Sequence, residues 1–155
     1  MGSSIGWLYL PSVGRSGGII VIWDPQVLEL GESRIGSFSV CCRFKSLEDN
    51  FEWGLIGVYG PNDDYMRRAL FEELSFFMSS WDIPWCLGGD FNVIRFPSER
   101  SSGGRSSWAM REFSSFIDGC NLIDPPLEGA RFTWSSHEER GRSCVISHRS
   151  ISLLG

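Results

Sequence analysis

The chain has no excess of positive charge. Its 14 Lys and Arg are outnumbered by 19 Asp and Glu, for a formal net charge of −5. Sequence-independent binders of nucleic acid carry a basic footprint, so tight, unspecific coating of DNA is not expected; phosphate contact through a few local arginines stays open. Histidine is scarce, with only two copies, and the five cysteines (positions 41, 42, 86, 120 and 144) contain no C-x-x-C pair. That pattern argues against a zinc site or a disulfide framework and for buried, reduced thiols. No run is long and apolar enough to cross a bilayer as a helix. The first residues, Met-Gly-Ser-Ser-Ile-Gly, have neither a charged and apolar leader nor the Ser or Thr at the sixth position of a myristoylation signal. An intracellular protein, nuclear or cytoplasmic, with no membrane contact and no obligate protein partner, is the expectation. There is no internal repeat and no linker, and 155 residues suit a single domain.

What is there is ordinary core material, 42% hydrophobic with seven Trp and eleven Phe, in an order that alternates strands and helices. Strand patterns run over Gly17–Trp23, Val27–Leu30, Ser37–Phe44 and Trp53–Tyr59, with turns expected at Gly31 and Gly36. Gly60-Pro61-Asn62 breaks the last of these. A helix follows, capped by Asp63 or Asp64, with Met66, Leu70, Leu74, Phe77 and Trp81 on one face. Trp85-Cys86-Leu87 is a short buried strand running into Gly88-Gly89-Asp90, and 95–107 is a polar loop. A second helix spans about Ser107 to Cys120, and Ala130–Ser135 is a final strand. Strand, helix, strand, helix, strand is the pattern of a mixed α/β domain.

Two segments carry chemistry. In Gly88-Gly89-Asp90-Phe91-Asn92, a carboxylate and a carboxamide lie two residues apart at a strand end, and in extended chain they share one face. Asp90 could orient or deprotonate an attacking water while Asn92 donates to a phosphoryl oxygen. The same residue types also favour plain turns. In Val58-Tyr59-Gly60-Pro61-Asn62, the Tyr59 hydroxyl and Asn62 amide leave another strand end and could reach a phosphate; an aromatic core residue before a Pro turn is the structural alternative.

Taken together, strand, Y-G-P-N, amphipathic helix, short strand and G-D-F-N resemble the endonuclease/exonuclease/phosphatase, or DNase I-like, superfamily. Gly14-Arg15-Ser16-Gly17-Gly18-Ile19 with Trp23-Asp24, the stretch from Trp108 to Cys120, Leu122-Ile123-Asp124 and Phe132-Thr133-Trp134 are similar to the branch carried by plant LINE-type retrotransposons. The resemblance covers 6–136. It implies an incomplete four-layer αββα sandwich, an α/β fold of two sheets flanked by helices. It also implies Mg²⁺ as cofactor, with Mn²⁺ as a substitute, and DNA as partner. The implied catalytic group is Asp90, Asn92, Tyr59 and Asn62. Thr133 and Arg95 are implied at the substrate groove, with Arg100 and Arg105 in the same loop, and Asp90 is the one implied metal ligand.

The same resemblance points to missing parts. The family places a metal-binding Glu and an Asn ahead of the G-R-S-G-G segment, and a Ser-Asp-His near its C-terminus. Here the only histidines are His137 and His148, and neither adjoins an Asp. The expectation is a degenerate fragment of a Mg²⁺-dependent DNA endonuclease that binds metal weakly and does not cleave. An exposed sheet prone to self-association is expected with it. A phosphoesterase acting on a non-nucleic-acid ester and a non-catalytic interaction fragment are the rival readings. The family also carries Ser-Arg-Ile-Asp-Arg-Phe-Leu after F-T-W. Codons can be chosen for Ile146–Ser152 that encode this motif when read one nucleotide later. Residues 137–155 are therefore expected to be an out-of-frame, poorly ordered tail.

Overall fold

The computed structural model describes residues 4–14 and 17–125, and beyond them the backbone of three short strands. Strands β1 (Gly6–Leu10) and β2 (Ile19–Trp23) form an antiparallel pair, Trp7 opposite Ile22 and Tyr9 opposite Ile20. Strands β3 (Leu28–Ile35), β4 (Ser39–Ser46) and β5 (Glu52–Tyr59) form an antiparallel meander. Helix α1 (Asp64–Met78) then crosses over, so that β6 (Trp85–Asp90) runs parallel to β5, as a strand–helix–strand connection requires. Helix α2 (Trp108–Gly119) follows. Strands β7 (Trp134–Ser136) and β8 (Cys144–Ile146) pair with each other, and β9 (Ile151–Ser152) adds to the edge of β6. Of the stretch expected to be an out-of-frame tail, only β8 and β9 belong to the described residues.

The centre of the larger sheet, β4 and β5, is packed on both faces, while β3 at its edge carries no buried residue. One face of β4 and β5 meets β1 and β2 around Val21, Val40, Cys42 and Phe44. The other carries α1 and α2 over Cys41, Ile56, Val58 and Leu87, with Phe71 stacked on Phe113 and Phe116. This gives three layers, sheet on sheet on helices, and no described helix covers the outer face of β1 and β2. That layering fits the αββα sandwich expected from the sequence, with its two sheets and one helical layer among the described residues.

Several elements differ from the sequence reading. β1 has no alternating pattern because both its faces are apolar, Leu8 and Leu10 inward and Trp7 and Tyr9 outward. Gly31 does not end a strand: β3 runs through it, and the register shifts between Leu30 and Glu32, which is a bulge. On α1 the buried face is Leu70, Phe71, Leu74 and Phe77. Met66 is exposed, and Trp81 lies past the helix end, stacked on Trp85. Asp63 is the N-cap, its carboxylate accepting from the Met66 N–H.

Candidate functional site

The candidate site lies where β5 and β6 end side by side. Parallel strands present their C-terminal ends together, the usual position for ligands in open α/β sheets. Here Tyr59 is the register partner of Asp90, so the last residue of each strand stands beside the other. The chain then leaves through Gly60-Pro61-Asn62 on one strand and Phe91-Asn92 on the other.

The two exits are laced together. The Gly60 N–H donates to the Asp90 carbonyl at 2.6 Å, and the Asn92 side-chain amide donates to the Gly60 carbonyl at 2.5 Å. The Asp90 carboxylate accepts from the Asn92 N–H at 2.8 Å, an Asx-type turn. Close backbone approach makes glycine necessary at two places. A Cβ on Gly60 would lie 2.3 Å from the Phe91 carbonyl oxygen. A Cβ on Gly89, whose φ is +136°, would lie 2.0 Å from the Val58 oxygen. Tyr59 is half-buried, and its ring rests against Gly17, where a Cβ would come within 2.8 Å of it.

Arg67, in the first full turn of α1, completes the bracing. Its guanidinium donates to the carbonyls of Pro61 (3.1 Å), Asn62 (3.0 Å) and Asn92 (2.8 Å), and it pairs with Asp64. A planar fork with five donors suits several acceptors at once. The sequence reading missed this residue. Its acceptors are main-chain oxygens in two separate turns, which no side-chain motif records.

The structure thus brings the segments holding Tyr59, Asn62, Asp90 and Asn92 together. It changes the geometry proposed for the D-x-N pair. Asn92 is not on an extended strand sharing a face with Asp90: β6 ends at Asp90, and Asn92 is left-handed at φ 51°. One amide proton of Asn92 is already committed to the Gly60 carbonyl, so Asn92 acts first as a brace between the turns. Arg95 pairs with Asp118 of α2 at 2.5 Å, over the Phe96 ring, and its own N–H donates to Glu99. Arg100 and Arg105 are exposed in the loop. Thr133 lies outside the described residues.

A hydroxyl, a carboxylate and an amide at adjacent strand ends can accept a proton from water and donate to a phosphoryl oxygen. A metal is another matter. Among the described residues no three His, Cys, Asp or Glu side chains gather to hold an ion. Asp90 contributes one carboxylate where a divalent cation takes six or more oxygen ligands with charge to match. The described residues do not fit a metal centre.

No protein-family model matches the chain, and no curated protein matches it. Solved structures do. The endonuclease domain of TRAS1, a telomere-specific non-LTR retrotransposon, superposes with a TM-score of 0.74 at 11% identity, over 96% of this chain and 66% of that one. The human Nocturnin catalytic domain matches at 0.57 and 13% identity, over 95% of this chain and 59% of that one. A D. rerio TDP2 complexed with a single-stranded DNA product matches at 0.58 and 12% identity, over 94% and 60%. The chain spans about three-fifths to two-thirds of the length of these structures. Three layers, the β5–α1–β6 crossover and these superpositions together establish that the chain has the fold of the endonuclease/exonuclease/phosphatase, or DNase I-like, proteins.

Proposed function

We propose that this chain is a degenerate phosphodiesterase module, derived from the DNA endonuclease of a non-LTR retrotransposon, that keeps the phosphate-facing strand ends and does not cleave. The observation that carries the reading is the in-register pairing of Tyr59 with Asp90, with the Y-G-P-N and D-F-N turns laced to each other beyond it. The retrotransposon origin is supported by the TRAS1 superposition, whose TM-score stands well above the other two. In this reading Asp90 holds water, Tyr59 and Asn62 face a phosphoryl oxygen, and Asn92 fixes the turn that aims Asp90. The loss of cleavage rests on the site's own composition: one carboxylate, no gathering of metal ligands among the described residues, and no histidine in the chain next to an Asp. Groups that act as a unit lose nearly all their rate when members are absent.

The test is a supercoiled-plasmid relaxation assay in Mg²⁺ and in Mn²⁺. No nicking above buffer is expected, and Mg²⁺ should leave the melting temperature unchanged. Nicking that disappears in Asp90→Ala would overturn the proposal.

A further inference from the structure

Helix α1 reaches the site end of the sheet twice. Arg67 supplies donors to the turns that follow β5 and β6. Glu73, six residues on and about 9 Å further along the helix axis, supplies acceptors to a third turn, the one between β3 and β4. Its Oε2 accepts from the Ser37 N–H at 2.7 Å, and its Oε1 accepts from the Phe38 N–H at 3.2 Å and the Ser39 hydroxyl at 2.6 Å. Two consecutive main-chain N–H groups and a buried hydroxyl, converging on one carboxylate, make an anion cradle whose occupant belongs to the chain itself. Gly36 leaves the room for it, since a Cβ there would lie 2.1 Å from Oε1.

That cradle stands beside Tyr59. β4 is antiparallel to β5, so the turn that opens β4 adjoins the end of β5, with Ser39 the register partner of Val58. The Tyr59 N–H donates to the Phe38 carbonyl at 3.0 Å. On its other side Tyr59 is the register partner of Asp90, and the next residue, Gly60, donates its N–H to the Asp90 carbonyl. The last residue of β5 therefore hangs between the Phe38 turn and the end of β6. We infer that Glu73 is a positioning residue for Tyr59. Glu73 fixes the turn, the Phe38 carbonyl fixes the Tyr59 main chain, and the main chain sets where the phenol stands relative to Asp90. Ser37 is exposed, so without the carboxylate its N–H turns to water, and the freedom gained by the turn reaches Tyr59 through a single hydrogen bond. The placement of Tyr59 stands on these bonds; that its hydroxyl faces a phosphoryl oxygen rests on the function proposed above.

The chain has three tyrosines, Tyr9, Tyr59 and Tyr65. Tyrosine-selective nitrogen labelling of the full chain lets the Tyr59 amide be followed by NMR, with Tyr9 on β1 as internal reference. In Glu73→Ala the Tyr59 resonance should move, and its hydrogen exchange should quicken about tenfold or more relative to Tyr9. Gly36→Ala leaves Glu73 in the chain but displaces its carboxylate, and should move the same resonance in the same direction. Glu73→Gln keeps one oxygen for the Phe38 N–H and the Ser39 hydroxyl, and should bring Tyr59 most of the way back. Glu72→Ala, which removes the same charge from an exposed position one residue away, should leave Tyr59 in place. A Tyr59 amide that keeps its resonance and exchange rate in Gly36→Ala and in whichever Glu73 variants fold overturns the inference, as does an equal shift in Glu72→Ala. Plasmid nicking by the parent chain would instead strike the proposed loss of cleavage and leave these shifts as they are.

Discussion

Replacing Arg67 is the most informative perturbation of the site, because one side chain holds the turn that precedes its own helix and a second turn 25 residues further along the chain. Arg67→Met keeps most of the aliphatic stem and removes the guanidinium. Three carbonyl acceptors lose a charged donor: Pro61 and Asn92, in part-buried surroundings, and Asn62, which faces solvent. A hydrogen bond to a charged group contributes about 1.5–3 kcal/mol when buried, and less where water can replace the donor. Counting the two part-buried bonds at the low end and the exposed one as near zero gives a loss of about 2–3 kcal/mol. The Arg67–Asp64 pair adds little, since Asp64 is 59% exposed and exposed pairs are worth under about 1 kcal/mol. For a domain of this size that loss lowers the midpoint of thermal unfolding by about 5–10 °C. Arg67→Lys should recover less than half of it, because one ammonium cannot serve three carbonyls in different directions. Asp64→Ala is the control, expected within about 1 kcal/mol of the parent. Urea titrations followed by Trp fluorescence measure all three. An Arg67→Met chain within about 0.5 kcal/mol of the parent, or an Asp64→Ala chain equally weakened, would refute the argument that this guanidinium braces the site.

Gly89→Ala forces a Cβ against the Val58 oxygen at a φ that L-residues rarely adopt, so a loss above about 3 kcal/mol, or failure to fold, is expected in a denaturant titration. Glu73 accepts from the Ser37 N–H (2.7 Å), the Phe38 N–H (3.2 Å) and the Ser39 hydroxyl (2.6 Å), binding α1 to the β3–β4 turn; Glu73→Ala should cost about 2–4 kcal/mol by the same measurement. Burial pushes the Cys41 thiol up to about 12 and the Cys42 thiol up to about 11. The unfolded chain ionises these thiols near pH 9 while the folded chain keeps its protons. Stability is therefore complete below about pH 9 and falls as the pH rises toward 11 and 12, and Cys42→Ala should flatten that fall in urea midpoints measured across the window.

The parts of this fold that the sequence made legible are those where local chemistry and tertiary demand coincide. The Gly60-Pro61-Asn62 break, the Asp63 cap and the Gly-Gly-Asp exit are turn and cap residues doing in the fold what they do in isolation. Strand β1 was illegible for the opposite reason. Period-two reading needs one polar face, and Gly6–Leu10 has none because its outer face is left apolar. Gly31 reads as a turn by composition, and only the pairing of β3 with β4 reveals a bulge. Met66 and Phe71 exchange roles on α1 because the helix is rotated to stack Phe71 against α2, a contact between elements that periodicity within one helix cannot supply. Arg67 reaches the Asn92 carbonyl 25 residues on, and Glu73 reaches the turn at Ser37–Ser39 some 34 to 36 residues back, so no local side-chain pattern marks either role.

The D-x-N motif shows why a recognisable motif is evidence for a fold before it is evidence for a reaction. Read as chemistry, Asp90 and Asn92 are a base and a phosphate ligand. The fold also needs both as turn residues: the Asp90 carboxylate accepts from the Asn92 N–H, and the Asn92 side-chain amide donates to the Gly60 carbonyl. Asn92 sits at φ 51°, where asparagine is among the few non-glycine residues commonly tolerated. Gly89 is held by the approach of the Val58 carbonyl, whatever is bound nearby. A substitution at any of these positions therefore strikes folding, whatever chemistry the site performs. A chain no longer able to cleave would still be under physical pressure to keep Gly-Gly-Asp-Phe-Asn. The motif's presence accordingly argues for the fold and for the position of the strand ends. Evidence for cleavage has to come from the residues that fold stability does not need, and a gathering of metal ligands is not among the described ones.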